Sequence, residues 1–278
     1  MAVDPTIAVL SAAPGASRDH VERLYAAMAD YWALTKPEVN FLILITTFAG
    51  FYLASGPGEF QILSLIHTLL GTLLVASGTG TLNQYVERHF DAQMRRTARR
   101  PVASGRMASS HALWFGISLS AAGTVYLAVA VNGLASLLAL ITLLSYLFVY
   151  TPLKRKTPLC MLVGAFPGAV PPLIGWAGAS GNLSLGAWVL YALLFLWQFP
   201  HFMAIAWMYR DDYARAGYVV LPFGQRGGPV MAWQSLLPLL VLVPLSVAPT
   251  ILGQAGLVYL VGQKQPIGKW EIGDSYSK

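Results

Sequence analysis

Residues 83–101, "NQYVERHFDAQMRRTARRP", place seven charged side chains within nineteen positions of an otherwise apolar chain. Asn83, Glu87 and Asp91 are four residues apart, so on a helix of 3.6 residues per turn they line one face. Arginines follow within a few positions. The fold has to explain why so polar a segment lies between apolar runs.

The composition excludes an ordinary soluble domain. Of the 278 residues, 56% are hydrophobic and 11% are charged, whereas soluble domains carry about a quarter charged residues. Apolar runs recur along the chain, each near the ~20 residues that a helix needs to cross a bilayer. The single cysteine, Cys160, excludes an internal disulfide and a cysteine-based metal cluster. We therefore predict an all-α, polytopic membrane protein.

The apolar runs predict about seven or eight spans. The seven clear ones lie near residues 39–54, 61–82, 111–130, 134–151, 159–178, 185–206 and 229–250, and a shorter apolar piece at 251–262 is a candidate eighth. In terms of domains, we predict a cytoplasmic N-terminal tail at 1–33, an intramembrane domain at 34–262 and a polar C-terminal tail at 263–278.

The connections between spans differ in charge on the two sides of the predicted bundle. Connections on one side are short and nearly uncharged, while those on the other side are longer and rich in Lys and Arg. Because Lys and Arg in short loops face the cytoplasm, we predict cytoplasmic basic loops and N-terminus in a cell (inner) membrane. The same arginines also fit a topology signal that has no chemistry attached.

The acids need a further explanation, because ionisable groups near a bilayer are costly and usually face a cavity or a partner. Asn83, Glu87 and Asp91 offer the oxygen ligands that suit Mg²⁺, and guanidinium groups match phosphate oxygens. We predict a site for magnesium and diphosphate. The alternative is a solvated loop in which the acids merely pair with nearby arginines. The candidate diphosphate ligands are Arg88, Arg95, Arg99, Arg100, Lys154 and Arg155.

A second acidic cluster follows the sixth predicted span. Asp211 and Asp212 lie at its polar end, between Arg210 and Arg215. The second and sixth spans therefore carry acids at corresponding ends, which hints at a duplicated four-helix unit. The glycines and prolines of the fifth span predict a thin, bent helix that allows close approach of a neighbouring helix or opens a cavity.

Six motifs, taken together and in order, resemble the UbiA superfamily of intramembrane prenyltransferases. They are "NQYVERHFD", "MRRTARRP", "YTPLKRKTP", "GAFPGAVPPLIGW", "WQFPHF" and "DDYARAG". The R-T-x-x-R-P, P-P-x-I-G-W and W-Q-x-P-H-F pieces point to the branch of that superfamily that farnesylates protohaem IX. The resemblance covers residues 34–222 or so.

This resemblance implies two four-helix bundles and an extra helix around a central cavity, with two aspartate-rich motifs that face each other and bind Mg²⁺-diphosphate. Carried over to this sequence, the candidate catalytic and metal-binding residues are Asn83, Glu87, Asp91, Asp211 and Asp212, and the two clusters are expected to converge on one diphosphate. Glu87 stands where that family more often has Asp, and Asp211–Asp212 lack the usual D-x-x-x-D spacing. The family has nine spans, whereas this sequence turns polar after about residue 261.

The implied reaction transfers a farnesyl group from farnesyl diphosphate to a vinyl group of haem b, giving haem O. The implied cofactor is Mg²⁺, haem b is a substrate, and Gln198 and His201 are candidates to contact that acceptor. A haem A synthase or a terminal oxidase is the implied assembly partner, and no nucleic acid is involved. The alternatives are prenylation of another acceptor such as a quinone precursor, a transporter of an anionic lipid or metabolite, and an inactive haem-handling protein.

Overall fold

The computed structural model describes residues 14–56, 60–221 and 228–251, and in these ranges the chain forms helices and turns without a β-strand. The predicted all-α class is therefore confirmed. The helices are α1 (Pro14–Thr35), α2 (Pro37–Ala54), α3 (Ile62–Asp91), α4 (Ser109–Ala130), α5 (Gly133–Leu144), α6 (Thr151–Leu153), α7 (Cys160–Gly168), α8 (Pro171–Ser180), α9 (Leu185–Met208), α10 (Arg210–Arg215) and α11 (Gly228–Ile251).

Seven stretches of the described chain are long and apolar enough to cross a membrane, and they match the seven predicted spans. They are Pro37–Ala54, Ile62–Asp91, Ser109–Ala130, Gly133–Leu153, Cys160–Ser180, Leu185–Met208 and Gly228–Val247. The candidate eighth span at 251–262 lies outside the described residues, apart from its first residue. The domain boundaries at 33 and 262 stay predictions, although α1 already begins at Pro14.

The second span is longer than predicted. Its helix, α3, continues nine residues past position 82 and ends at Asp91. The row of Asn83, Glu87 and Asp91 therefore lies on one uninterrupted helix, as the spacing indicated. Along its length α3 packs against α4, while α2 packs against α8 and α9 against α11.

The fifth span is broken, as its glycines and prolines indicated. It consists of α7 and α8, which are separated by two residues before Pro171. Close approach also needs the small residues: a Cβ on Gly175 would collide with the Thr47 carbonyl of α2, and one on Gly50 with the carbonyl of Pro172. The α2 and α8 backbones are therefore in direct contact on one side of the bundle.

A sharp corner joins α1 to α2. Lys36 at this corner has φ 54°, in the left-handed region that residues other than glycine rarely adopt. Helix α3 fixes this corner, because the side chain of Gln84 donates to the carbonyls of Ala33 and Leu34 at 3.2 and 3.1 Å. The strained backbone thus holds Lys36 beside the polar end of α3.

Candidate active site

The polar end of α3 borders a cavity of about 270 Å³. Asn83, Glu87 and Asp91 all line it, and they are only 2%, 5% and 1% exposed. The alternative of a solvated loop is therefore wrong for these three residues. The other polar or aromatic lining residues are Lys36, Arg96, Arg100, Tyr146, Tyr150, Lys154, Tyr213 and Tyr218.

The Glu87 carboxylate is fully engaged. Lys154 Nζ donates to its two oxygens at 2.9 and 3.1 Å, and Tyr218 OH donates to Oε1 at 2.9 Å. Asn83 Nδ2 donates to Oε2 at 2.8 Å. Burial lowers the pKa of Lys154, but Tyr150 and Glu87 raise it well above its usual value overall, so the ammonium group stays charged.

Tyr218 reaches Glu87 from the connection that follows α10. The Val219 N–H donates to the Lys154 carbonyl at 2.8 Å, which fixes this connection against the loop before α7. Burial and the charge of Glu87 raise the pKa of Tyr218, so its hydroxyl keeps the proton that it donates. The sequence interpretation did not identify Tyr218, because nothing local relates it to a residue 131 positions away.

The sequence interpretation also did not identify Lys36 as a site residue. Its Nζ donates to Asn83 Oδ1 at 2.8 Å, so the amide of Asn83 bridges Lys36 and Glu87. Burial and the positive charge of Arg100 lower the pKa of Lys36 to about 7. The signal available in the sequence was the Lys36–Pro37 pair, which lies directly before the first predicted span.

Asp91 is paired on one side only. Arg100 Nη1 donates to Oδ2 at 2.7 Å, whereas Oδ1 is buried without a hydrogen-bond partner in the described structure. A bound cation is one partner that would satisfy such a buried carboxylate oxygen. Oxygen ligands suit a hard cation such as Mg²⁺, and of the three residues in the row only Asp91 has an oxygen that accepts no hydrogen bond within the described residues.

Protein ligands alone would not complete such a site. Within the described ranges, no three His, Cys, Asp or Glu side chains lie close enough together to hold a metal ion. Mg²⁺ is commonly bound by one or two carboxylates together with the phosphates of a substrate. The residues near Asp91 fit that second type of site.

The second acidic cluster does not converge with the first in this structure. Asp211 is 73% exposed at its side chain and lies 3.9 Å from Arg210. Asp212 accepts from the backbone N–H of Arg96 at 3.2 Å and from Arg215 Nη2 at 2.8 Å. Neither acid lines the cavity around Asp91.

Asp212 instead supports the arginine loop after α3. Desolvation opposes its charge, yet hydrogen bonds from the backbone N–H groups of Arg96 and Arg95 lower the pKa of Asp212 overall. Its ionised carboxylate therefore fixes the turn from which Arg96 and Arg100 reach the cavity.

The six predicted diphosphate ligands divide into two groups. Arg100 and Lys154 line the cavity. Arg95 and Arg99 are exposed, and Arg88 turns back to the carbonyl of Tyr85 at 2.7 Å. Arg155 lies over the ring of Phe90, 4.3 Å from its centroid. The interpretation did not commit to Lys36 and Arg96, which also line the cavity. Arg96 is exposed as well, and its guanidinium lies 5.0 Å from the ring centroid of Tyr209.

Neither candidate acceptor contact lies in the cavity. Gln198 is buried and donates to the carbonyls of Ala165 and Leu194 at 3.3 and 3.1 Å, which ties α9 to α7. His201 is exposed and stacks on Trp197, with ring centroids 5.2 Å apart. Neighbouring positions of α9 border a separate groove, described below.

A second cavity of about 270 Å³ continues the first into the bundle. The two share Lys36, Val39 and Tyr146 as lining residues. The walls of the second cavity are mostly apolar, and half of its lining residues are buried, among them Val75, Ala139 and Ile174. A polar chamber thus adjoins a mostly apolar one, an arrangement that suits a ligand with an anionic head and a hydrocarbon tail.

Tyr146 lies at the junction of the two cavities, in a segment that is not a regular α-helix. Residues Ser145–Tyr150 are wound as a π-helix between α5 and α6, a feature that often occurs at functional sites. Tyr146 and Tyr150 both line the polar cavity, with ring centroids 5.1 Å apart.

The chain is similar in sequence and in fold to known proteins. Residues 43–263 match the UbiA prenyltransferase family. A protein of Solibacter usitatus named protoheme IX farnesyltransferase is 48% identical over 84% of this chain and 83% of its own length. One of the same name from Salinibacter ruber is 45% identical over 87% and 84%. The solved structure of a UbiA homolog from Archaeoglobus fulgidus, bound to GPP and Mg²⁺, has a TM-score of 0.62 and 16% identity, and the match covers 83% of this chain and 85% of that one.

Proposed function

The chain belongs to the UbiA prenyltransferase family, and we propose that it transfers a farnesyl group from farnesyl diphosphate to a vinyl group of protohaem IX, giving haem O. The choice of acceptor rests on relatives that carry the name protoheme IX farnesyltransferase at 40–48% identity. The observation that carries the proposed chemistry is the buried row of Asn83, Glu87 and Asp91, which faces cationic side chains in a cavity that adjoins an apolar chamber.

The diphosphate head group would lie in the polar cavity. Lys36, Arg96, Arg100 and Lys154 all border it, and positive charge in a site that excludes water stabilises a departing anion by several kcal/mol. A bound diphosphate would also raise the pKa of Lys36, because a nearby negative charge favours the ammonium form. We expect Lys36 to be fully charged only when the substrate is present.

Asn83, Glu87 and Asp91 are the residues that we propose to hold magnesium, with the unpartnered Oδ1 of Asp91 as the free ligand. When bound, Mg²⁺ supplies charge stabilisation to the diphosphate oxygens. Lys154 and Tyr218 would hold Glu87 in place during this step.

The hydrocarbon tail would occupy the apolar chamber. The bond between C1 of the farnesyl group and oxygen breaks, and the diphosphate leaves with the electron pair. The resulting allylic cation must be kept away from water until it meets its acceptor. The mostly apolar walls provide this protection, and the rings of Tyr146 and Tyr150 near the junction would stabilise the cation through their π faces.

Product formation then needs the acceptor and one water molecule. The terminal vinyl carbon of haem b bonds to C1 of the farnesyl cation, which moves the positive charge to the vinyl carbon next to the porphyrin ring. Water adds to that carbon and releases a proton, which leaves a hydroxyethylfarnesyl side chain.

The basic loops bear on the orientation of this multi-pass membrane protein. We propose that the side with the acidic row and the arginine loop faces the cytoplasm of a cell whose inner membrane holds the protein. Haem O formed there would pass to a haem A synthase or a terminal oxidase. The transporter alternative is not favoured, because the relatives carry the name of a transferase.

The test is an assay on membranes that contain the full chain. Incubation with haem b, farnesyl diphosphate and Mg²⁺ should give a haem heavier by one hydroxyfarnesyl unit, detected by chromatography and mass spectrometry. Chelation of the metal with EDTA should stop product formation, and readdition of Mg²⁺ should restore it. Membranes that bind both substrates but form no such product under any of these conditions would contradict the proposal.

A further inference from the structure

We propose that the porphyrin acceptor docks in a lateral apolar groove between α7, α9 and α11, separated from the polar cavity by Met161. The inference rests on the proposed function and adds where the second substrate binds. The groove has a volume of about 460 Å³. Its lining includes Leu159, Met161, Phe199, Met203, Gln234 and Leu237.

Two apolar spaces lined by described residues adjoin the polar cavity. The apolar chamber shares Lys36, Val39 and Tyr146 with it, and the groove shares Met161. The reaction joins two apolar groups, so each substrate can be assigned a space of its own beside the diphosphate site.

Exposure decides which substrate takes which space. Eight of the sixteen residues that line the apolar chamber are buried and two, Val39 and Gly168, are exposed, whereas two of the ten that line the groove are buried and five are exposed. A carbocation requires the dry chamber. A broad, rigid porphyrin fits better in a groove that is open at the side of the bundle, because the porphyrin can enter that groove from the lipid.

The Met161 side chain is suited to separate the groove from the polar cavity. It is 8% exposed and packs in a cluster with Met203 and Met231. A methionine side chain is unbranched and flexible, so it adapts to different neighbours at low cost. A change of the Met161 rotamer would let a vinyl group reach the polar cavity without a movement of the backbone.

The charge at the end of the groove orients the acceptor. Haem b carries two carboxylates on one edge and its vinyl groups on the other part of the ring. Lys156 is exposed, lies two residues before Pro158 of the groove lining and forms no ion pair within the described ranges. A porphyrin with its carboxylates near Lys156 would place the opposite edge deeper, towards Met161.

The first experiment fills the groove from α11. Leu237→Trp is compared with Leu240→Trp, one turn further on the same helix, where Leu240 is 61% exposed and does not line the groove. For Leu237→Trp we expect the KM for haem b, and its Kd in an optical titration, to rise about tenfold or more, since overfilling a site costs that much. The KM for farnesyl diphosphate should stay within about twofold of the unmodified protein. Leu240→Trp should change neither.

The second experiment tests the orientation. Lys156→Gln should weaken binding of haem b but leave binding of haem b dimethyl ester unchanged, because the ester lacks the carboxylates. Equal effects of Leu237→Trp and Leu240→Trp on haem binding, or none, would show that the groove holds only lipid and would overturn the proposal. A wild type that binds haem at the groove but forms no farnesylated product would refute the proposed function and leave the docking site standing.

Discussion

Two acidic clusters at the same side of the molecule look alike in sequence and differ in the structure. Both follow an apolar helix and both lie next to arginines. At the end of α3, Glu87 and Asp91 are buried and face a cavity. At α10, Asp211 is exposed, whereas Asp212 is buried but lies outside the cavity and accepts from the backbone N–H of Arg96. Carboxylates near a membrane therefore acquire their role from their partners and from the cavity that they face, not from burial alone or from position along a span.

The difference has a physical origin in helix length. α3 continues without a break to Asp91, so its acids remain among packed helices. α9 ends at Met208, and Asp211 and Asp212 lie in the first turn of the short helix α10. A single turn at the end of a bundle exposes one face, and Asp211 lies on that face.

The largest effect is expected from Asp91→Asn. The amide keeps an oxygen for Arg100 but removes the charge that would hold magnesium, a contribution of several kcal/mol, so farnesyl transfer should fall by at least about 100-fold. Because the side chains have the same shape, binding of haem b should be unchanged. Product formation is measured by chromatography, and haem binding by absorbance.

Asp211→Asn is the matched control, since it makes the same chemical change at an exposed site. Its activity should lie within about twofold of the unmodified protein, as for most surface substitutions. Activity that survives Asp91→Asn would show that the metal is held elsewhere. Loss of activity in Asp211→Asn would show that the two clusters converge after all when substrate is bound.

The sequence alone predicted much of the structure around α3. The spacing of Asn83, Glu87 and Asp91 indicated one helix face, and the apolar runs located all seven described spans. Such features repeat with the helix period and can be read locally. The pairs Lys36–Asn83 and Glu87–Tyr218 span 47 and 131 residues. They depend on how helices pack, which one sequence does not reveal.

The arginines illustrate the same limit. Arg95, Arg96, Arg99 and Arg100 lie in a loop, so no helix period indicates which of them point inward. The hydrogen bond from the Arg96 backbone to Asp212 fixes that loop, and Arg96 and Arg100 reach the cavity.

Arg100, which pairs with Asp91, and Arg215, which pairs with Asp212, should differ in their effect on stability. Arg100→Met leaves Asp91, which is 1% exposed, without its ion pair, and breaking a buried pair costs about 3 kcal/mol or more. Arg215→Met breaks the pair with Asp212, in which the arginine is 43% exposed, and exposed pairs contribute little to stability. Thermal unfolding of the detergent-solubilised protein should show a clearly lower Tm only for Arg100→Met.

The same two variants should also differ in their KM for farnesyl diphosphate. Arg100→Met should raise the KM for farnesyl diphosphate about tenfold, because a charge-assisted hydrogen bond to an anion contributes about 1.5–3 kcal/mol. Arg215→Met should leave that KM nearly unchanged, since Arg215 does not line the cavity. Equal losses in the two variants would mean that the cavity does not distinguish the clusters.

The smallest effect is expected from substitutions of Asp212. A comparison of Asp212→Ala with Asp212→Asn best separates the possible roles of this residue. If Asp212 fixes the arginine loop, the asparagine side chain still accepts from the Arg96 N–H, so the KM of that variant for farnesyl diphosphate should rise by no more than about twofold. The alanine leaves that donor without its partner and loosens the loop, and we expect a rise of about three- to tenfold with little change in kcat. A metal ligand would behave in the opposite way: the asparagine variant would lose as much kcat as the alanine variant, because both lack the negative charge. Steady-state kinetics of the two variants at saturating Mg²⁺ therefore decides whether the second acidic cluster acts on the substrate or only on the loop that carries Arg96 and Arg100.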